Sequence, residues 1–208
     1  MAQQEYCSIA VVDDDPAVLK SVARLLKLNG YATRTYSSAE ILLAELQTVR
    51  PNCIVADLSM PGKSGLELQR EIAETGAAYP IIFITGRGDI RSSVEAMRGG
   101  AVDFLPKPFE RAELLDAVRR ALAKDREARE SDRALETITE RLSSLTPRER
   151  EVFERVVEGL MNKQVAAMLG ITEKTVKVHR ARVMSKMAVR SVAELARIAE
   201  RLGIRAPD

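Results

Sequence analysis

The sequence predicts an α/β unit, in which a five-stranded parallel sheet is wound on both faces by helices, followed by a small all-helical unit. Three observations carry this. In residues 1–122 short apolar runs alternate with helix-period segments five times over, and parallel strands joined by helices need helices on both faces. Residues 145–208 show only helix-period segments separated by tight turns. Residues 123–144 contain neither Gly nor Pro and mix both charge signs, so they read as a helical connection.

In order along the chain, the clearest buried strands are Ser8 to Val12, Cys53 to Ala56, Ile81 to Thr85 and Phe104 to Leu105, with a weaker strand from Ala32 to Tyr36. Helices are expected near Ala17 to Leu28, Ala39 to Gln47, Gly65 to Ala73, Ile90 to Arg98 and Arg111 to Leu122, where apolar residues recur at helical spacing. Ser37 to Glu40 and Ser64 to Glu67 have the spacing of capping boxes, and Gly30 and Gly99-Gly100 suit helix ends. In the connection, Leu135, Ile138, Leu142 and Leu145 form a stripe at three- and four-residue spacing. That stripe can pack on either unit or on a second chain, or the helix can stand solvated on its charge pairs. Thr146-Pro147-Arg148-Glu149 supplies an N-cap, a first-turn proline and a capping glutamate. Further helices are expected at Asn162 to Leu169, Glu173 to Met187 and Val192 to Leu202, with Ser191 to Glu194 as another capping box. The organisation is therefore 1–122, a linker over 123–143, and 144–208.

Charge is distributed unevenly. Residues 1–122 hold 14 basic and 16 acidic side chains, while residues 145–208 hold 13 basic and 8 acidic ones. A polyanionic partner is expected at the C-terminal end. Cys7 and Cys53 sit in apolar runs and read as small core residues, which excludes a disulfide framework or a cysteine metal site. No basic-start apolar leader and no run of roughly 20 apolar residues is present, so a cytoplasmic protein with no membrane partner is expected.

In open parallel sheets the functional crevice lies outside the carboxyl ends of the strands. The residues that follow the apolar runs are Asp13, Asp14 and Asp15, then Asp57, Thr85, and Lys107 with Pro108. Several carboxylates share a crevice only if a cation neutralises them. A hard divalent ion that keeps several waters suits this set, which points to magnesium, with manganese as the alternative. A carboxylate beside such an ion can attack a phosphoryl group while the metal and an ammonium neutralise the transferring oxygens. Asp57 is assigned as the nucleophile, Asp13 and Asp14 as metal-holding acids, and the Ser59 carbonyl as a further ligand. Thr85 is the hydroxyl donor and Lys107 the phosphoryl clamp. Asp15 is expected to start the first helix.

The motifs VVDDD at 11–15, DLSMPGKSG at 57–65, ITG at 84–86 and DFLPKPF at 103–109 resemble the receiver domains of two-component regulators, with their CheY- and flavodoxin-like fold. The resemblance implies that Asp57 takes phosphate from a sensor histidine kinase and that Thr85 and Phe104 move on phosphorylation. Phe104 stands where many receivers have Tyr, and Gly86 where many have Ala. Phe104 can equally be a partly buried core aromatic.

The segment from Leu145 to Ser191 resembles the helix-turn-helix domain of LuxR-, NarL- and FixJ-type regulators. By that resemblance Asn162 to Leu169 is the scaffold helix and Glu173 to Met187 the recognition helix. At about 100° per residue, Lys174, Lys177, Val178, Ala181 and Arg182 fall along one side, and Val176, Val183 and Met187 face a core. Lys174, Lys177, Val178 and Arg182 are expected at the DNA, with Thr175 and Lys163 as backbone contacts. His179 either touches phosphate or packs beside the turn. Together the resemblances imply a phosphorylation-dependent transcriptional regulator and not an enzyme, homodimeric when phosphorylated, binding promoter DNA and working with RNA polymerase, as an activator. Rival readings are a phosphate-independent dimerisation module and a small-substrate phosphatase working through phospho-aspartate.

Overall fold

The computed structural model describes residues 8–86 and 90–204, with Ile90 placed on its helix but its side chain left aside. The expectation for Cys7 lies outside the described residues. The chain divides into two compact units, 1–129 and 130–208.

In the first unit the strands are β1 (Ser8–Val12), β2 (Ala32–Tyr36), β3 (Cys53–Asp57), β4 (Ile81–Thr85) and β5 (Asp103–Pro106). They form one parallel sheet in the order β2-β1-β3-β4-β5. The helices are α1 (Pro16–Leu28), α2 (Ala39–Glu45), α3 (Gly65–Glu74), α4 (Ile90–Arg98) and α5, which runs from Arg111 to Ser143. Because successive strand residues point to opposite faces, β1 feeds two cores. Ala10 and Val12 join Ile54, Ala56 and Phe83 with Ala39, Leu42, Leu68 and Ile72 of α2 and α3. Ile9 and Val11 join Val55, Ile82 and Ile84 with Val22 and Leu26 of α1 and Leu114, Val118 and Ala121 of α5. Cys53 is a buried free thiol in this second core, and burial pushes its pKa up.

The N-cap of α2 is Ser38, whose hydroxyl accepts from Ile41 N–H, and not Ser37. Glu40 is then too early in the helix to close a capping box, and its Oε1 accepts instead from Lys63 N–H at 3.1 Å. The boxes at Ser64–Glu67 and Thr146–Glu149 form as expected.

The second unit contains α6 (Pro147–Val157), α7 (Asn162–Leu169), α8 (Glu173–Lys186) and α9 (Val192–Arg201). Val152, Phe153, Val165, Val176, Val183, Met187, Leu195 and Ala199 form its core, and Leu142 and Leu145 join it. The end of the apolar stripe in the connecting helix therefore packs on this unit, while Leu135 stays 45% exposed. Gly170 caps α7 at φ 64°, the left-handed conformation that glycine adopts at low cost, and this permits the short turn into α8.

Candidate functional site

The carboxyl ends of β1, β3, β4 and β5 bring together the residues expected from the sequence. Asp13 follows β1 directly and is 1% exposed; Asp57 ends β3 and Thr85 ends β4, both buried. Lys107 follows β5, and its backbone N–H donates to the Thr85 carbonyl at 2.7 Å. Its Nζ donates to Asp13 Oδ2 and to Asp57 Oδ1, each at 2.7 Å. The second oxygen of each carboxylate is also engaged: Asp57 Oδ2 accepts from Ser59 N–H at 2.7 Å and Asp13 Oδ1 from Asp15 N–H at 2.9 Å.

The electrostatics follow from burial and from this bridge. Desolvation raises the Asp13 pKa, against the opposing pull of Lys107. For Lys107, burial pulls downward, but the bonds to Asp13 and Asp57 outweigh it and hold the ammonium protonated. One cation thus serves two buried carboxylates, and Asp14 stands exposed beside them. The cluster is left net negative at its mouth. Among the described residues no three acidic, His or Cys side chains are gathered closely enough to hold a metal by themselves. Oxygen donors of two or three carboxylates, completed by a carbonyl and water, match a hard ion such as magnesium and not zinc or another thiophilic metal.

Supporting residues fall into place around this edge. Asp15 is the N-cap of α1, its side chain accepting from Ala17 N–H at 2.8 Å, which removes it from the acidic set. Gly65, the first residue of α3, lies so close to the end of β3 that a Cβ built on it would stand 2.5 Å from the Asp57 carbonyl oxygen. Phe104 is half-buried and packs against the core of α2, α3 and α4.

In the second unit, α8 presents Lys174, Lys177, Val178, Ala181 and Arg182 as one exposed face, opposite the buried Val176 and Val183. Lys163 is exposed on α7. Thr175 lies on the flank, with its hydroxyl 2.9 Å from that of the N-cap Thr172. His179 is half-buried, and its Nδ1 is buried without a hydrogen-bond partner. Two cations of the helix turn inward. Arg180 donates to Asn162 Oδ1 at 3.0 Å, tying α8 to the start of α7. Lys186 donates to Glu149 Oε2 at 2.6 Å and to the Ser144 carbonyl at 2.9 Å. Glu149 also accepts from Thr146 N–H at 2.9 Å, and with Lys186 this holds its carboxyl down at about 2. Arg148 donates to the Leu169 carbonyl at the α7 terminus. The sequence marks Glu149 only as the capping partner of Thr146; its pairing with Lys186 and the bond from Arg148 to Leu169 leave no mark there, since surface-like charges do not reveal distant contacts.

An aspartate poised beside a lysine at the carboxyl edge of a doubly wound sheet, joined in one chain to a helix-turn-helix, defines the class of two-component response regulators. Comparison with known proteins gives the family. Residues 9–119 match the response regulator receiver domain, and residues 143–199 match the bacterial regulatory proteins of the luxR family. The chain belongs to the response regulators that join these two domains, and it is a transcriptional regulator of the two-component type. It is 46% identical to nodulation protein W of Bradyrhizobium diazoefficiens, over 95% of this chain and 87% of that one. It is 43% identical to the transcriptional regulatory protein FixJ of Azorhizobium caulinodans, over 98% and 97% of the two chains. Among solved structures it resembles the response regulator StyR, with a TM-score of 0.79 and 43% identity over 93% of this chain and 98% of that one. Full-length FixJ from B. japonicum matches with a TM-score of 0.58 and 39% identity over 95% and 98%. No helix among the described residues is long and apolar enough to cross a membrane.

Proposed function

We propose that Asp57 is the phosphoacceptor of a cytoplasmic, kinase-driven transcriptional switch. The observation that carries this reading is the Lys107 ammonium shared between Asp13 and Asp57. Phosphate arrives from a phosphohistidine of a cognate sensor kinase: an Asp57 carboxylate oxygen attacks phosphorus, the P–N bond breaks, and the imidazole leaves and takes a proton. Asp13, Asp14, Asp57 and the Ser59 carbonyl would hold magnesium, or manganese in its place, and the ion would supply positive charge for the transferring oxygens. Lys107 then exchanges its bond to the Asp57 carboxylate for one to a phosphoryl oxygen, and the Thr85 hydroxyl donates to another. Phe104 follows Thr85, which couples phosphorylation to the face carrying α4 and β5.

In this reading residues 1–122 are the receiver, 123–143 the linker helix and 144–208 the DNA-binding domain. Phosphorylation favours a homodimer, because one small recognition helix reads too few base pairs for selectivity. Lys174, Lys177, Val178 and Arg182 meet promoter DNA, with Lys163, Thr175 and His179 toward the phosphates, and bound dimers recruit RNA polymerase as activators. The experiment is sedimentation and DNA titration of the full chain with and without acetyl phosphate and magnesium. Wild type gains dimer and DNA affinity; Asp57→Asn gains neither. An equal gain in Asp57→Asn refutes the assignment, and no gain in wild type favours a phosphate-independent dimerisation module.

A further inference from the structure

The apolar grip of the first unit on α5 ends near Ala121. Leu114, Val118 and Ala121 place a buried residue on the sheet side at every turn, and the next position of the same stripe is Asp125. Over residues 123–137 Asp125 is the only buried residue, at 3% exposure. A carboxylate therefore occupies the place where an apolar side chain would continue the core.

Its partners lie at the amino edge of the sheet, far from Asp57. Asn52, just ahead of β3, donates from Nδ2 to Asp125 Oδ2 at 2.7 Å. The same Asn52 is fixed to the start of β1: its Oδ1 accepts from Ser8 N–H at 2.9 Å, and its own N–H donates to the Ser8 carbonyl at 2.7 Å. Arg129, one turn along α5, donates from Nε to Asp125 Oδ2 at 2.7 Å and from its guanidinium to the Arg50 carbonyl at 3.4 Å. Asp125 Oδ1 is buried with no partner. An apolar side chain at 125 would avoid that loss, so the carboxylate is poorly explained as a plain stabilising contact. What it supplies is direction: a charge-assisted bond between one helix turn and two strand ends.

We propose that Asp125, through Asn52 and Arg129, is a latch that fastens residues 122–130 of α5 to the base of the sheet, and that transmission of the phosphorylation signal along α5 requires it closed. Asp125 and Asn52 are positioning residues. Asn52 and Asp57 stand at opposite ends of β3, roughly 16 Å apart along an extended strand, so opening the latch leaves the acceptor chemistry in place. The hold on α5 is independent of the Asp57 assignment; its role in transmission rests on it.

The test is hydrogen exchange on the full chain, first without phosphodonor. Asn52→Asp keeps the bond from Ser8 N–H but sets two carboxylates against each other, and amide exchange over 122–130 rises at least ~10-fold. Combining Asn52→Asp with Asp125→Asn restores a donor–acceptor pair with the roles exchanged, and exchange returns to within ~3-fold of wild type. Asp125→Asn alone, which keeps the shape and removes the charge, gives a rise of ~3-fold or more and serves if Asn52→Asp does not fold. Phosphate uptake at Asp57 stays as in wild type in every folded variant, while the phosphate-driven gain in DNA affinity falls at least ~5-fold in Asn52→Asp and recovers in the double variant. Unchanged exchange in Asn52→Asp and Asp125→Asn overturns the latch. Raised exchange with the full phosphate-driven gain retained overturns its role in transmission. If wild type shows no phosphate-driven gain, the Asp57 reading fails, and the exchange measurement still decides the latch.

Discussion

Two glycines flank the carboxyl edge of the sheet beside Asp57, and the structure predicts opposite responses to the same substitution. Gly65 opens α3 with φ outside the left-handed range. On propensity alone, alanine there should stabilise by about 0.5–1 kcal/mol. The surroundings reverse that sign. An added Cβ would stand 2.5 Å from the Asp57 carbonyl oxygen, 2.8 Å from Phe83 Cε1 and 3.0 Å from Leu58 Cα, against 3.4 Å for ordinary contact. Two of these neighbours are backbone at the end of β3, and Phe83 is fully buried, so none can give way like a surface side chain. Overpacking of this kind costs about 1–3 kcal/mol, leaving Gly65→Ala destabilised by about 1–2 kcal/mol net. For a unit of this size that lowers its melting temperature by roughly 3–10 °C. At Gly86, a Cβ meets nothing within 4 Å among the described residues and φ is not left-handed. Gly86→Ala is therefore neutral or stabilising by up to about 1 kcal/mol. Scanning calorimetry of the full chain, following the receiver transition, reads both. A Gly65→Ala protein as stable as wild type would refute the argument that close backbone approach, and not helix propensity, decides this position.

Other outcomes follow from the second unit. The Glu149 carboxyl titrates near 2 in the fold and near its ordinary 4.5 when unfolded. Its contribution is thus fully present above about pH 4.5 and is lost as pH falls toward 2. Glu149→Gln should flatten that acid loss for the DNA-binding unit, as read by urea melts at pH 7 and pH 3; an unchanged acid limb would contradict the pairing with Lys186. In DNA titrations across salt, the proposed placement of Lys174 and Lys177 against DNA predicts that Lys174→Ala and Lys177→Ala each reduce the slope of log K against log salt by about 1, the loss expected for each cation that neutralises a phosphate. Lys186→Ala, whose ammonium is spent on Glu149 and Ser144, leaves the slope unchanged but lowers stability. Equal slope losses for all three would show that Lys186 reaches DNA.

How much of this was legible in the sequence depends on the range of the interaction. The strands β1, β3 and β4 are buried on both faces and show as unbroken apolar runs, and Ser64, Thr146 and Ser191 signal helix starts through contacts three residues away. The carboxyl edge was readable for a related reason: topology sends every strand end to one crevice, so Asp13, Asp57, Thr85 and Lys107 need only follow their strands. Contacts across many residues left no such trace. Asn52 and Asp125 are 73 positions apart, and nothing in the polar run from 123 onward distinguishes Asp125 from its solvated neighbours except its place on the Leu114–Val118–Ala121 stripe. Lys186 and Arg180 look like phosphate-binding cations because they share a helix with Lys174 and Lys177. Only the packing of α8 against α6 and α7 shows that they serve Glu149 and Asn162. Ala188 adopts φ 53° just past α8, where sequence rules would place glycine. Capping-box spacing points to Ser37 at the start of α2, and only the hydrogen bond from Ile41 N–H shows that the cap is Ser38.

The central claim, that this chain is switched by phosphate on Asp57, is tested most directly by intact mass after treatment with acetyl phosphate and magnesium, with wild type and Asp57→Asn side by side. The account predicts a single added phosphate on wild type and none on Asp57→Asn. A wild-type chain that takes up no phosphate, or an Asp57→Asn chain that takes up as much, would contradict it.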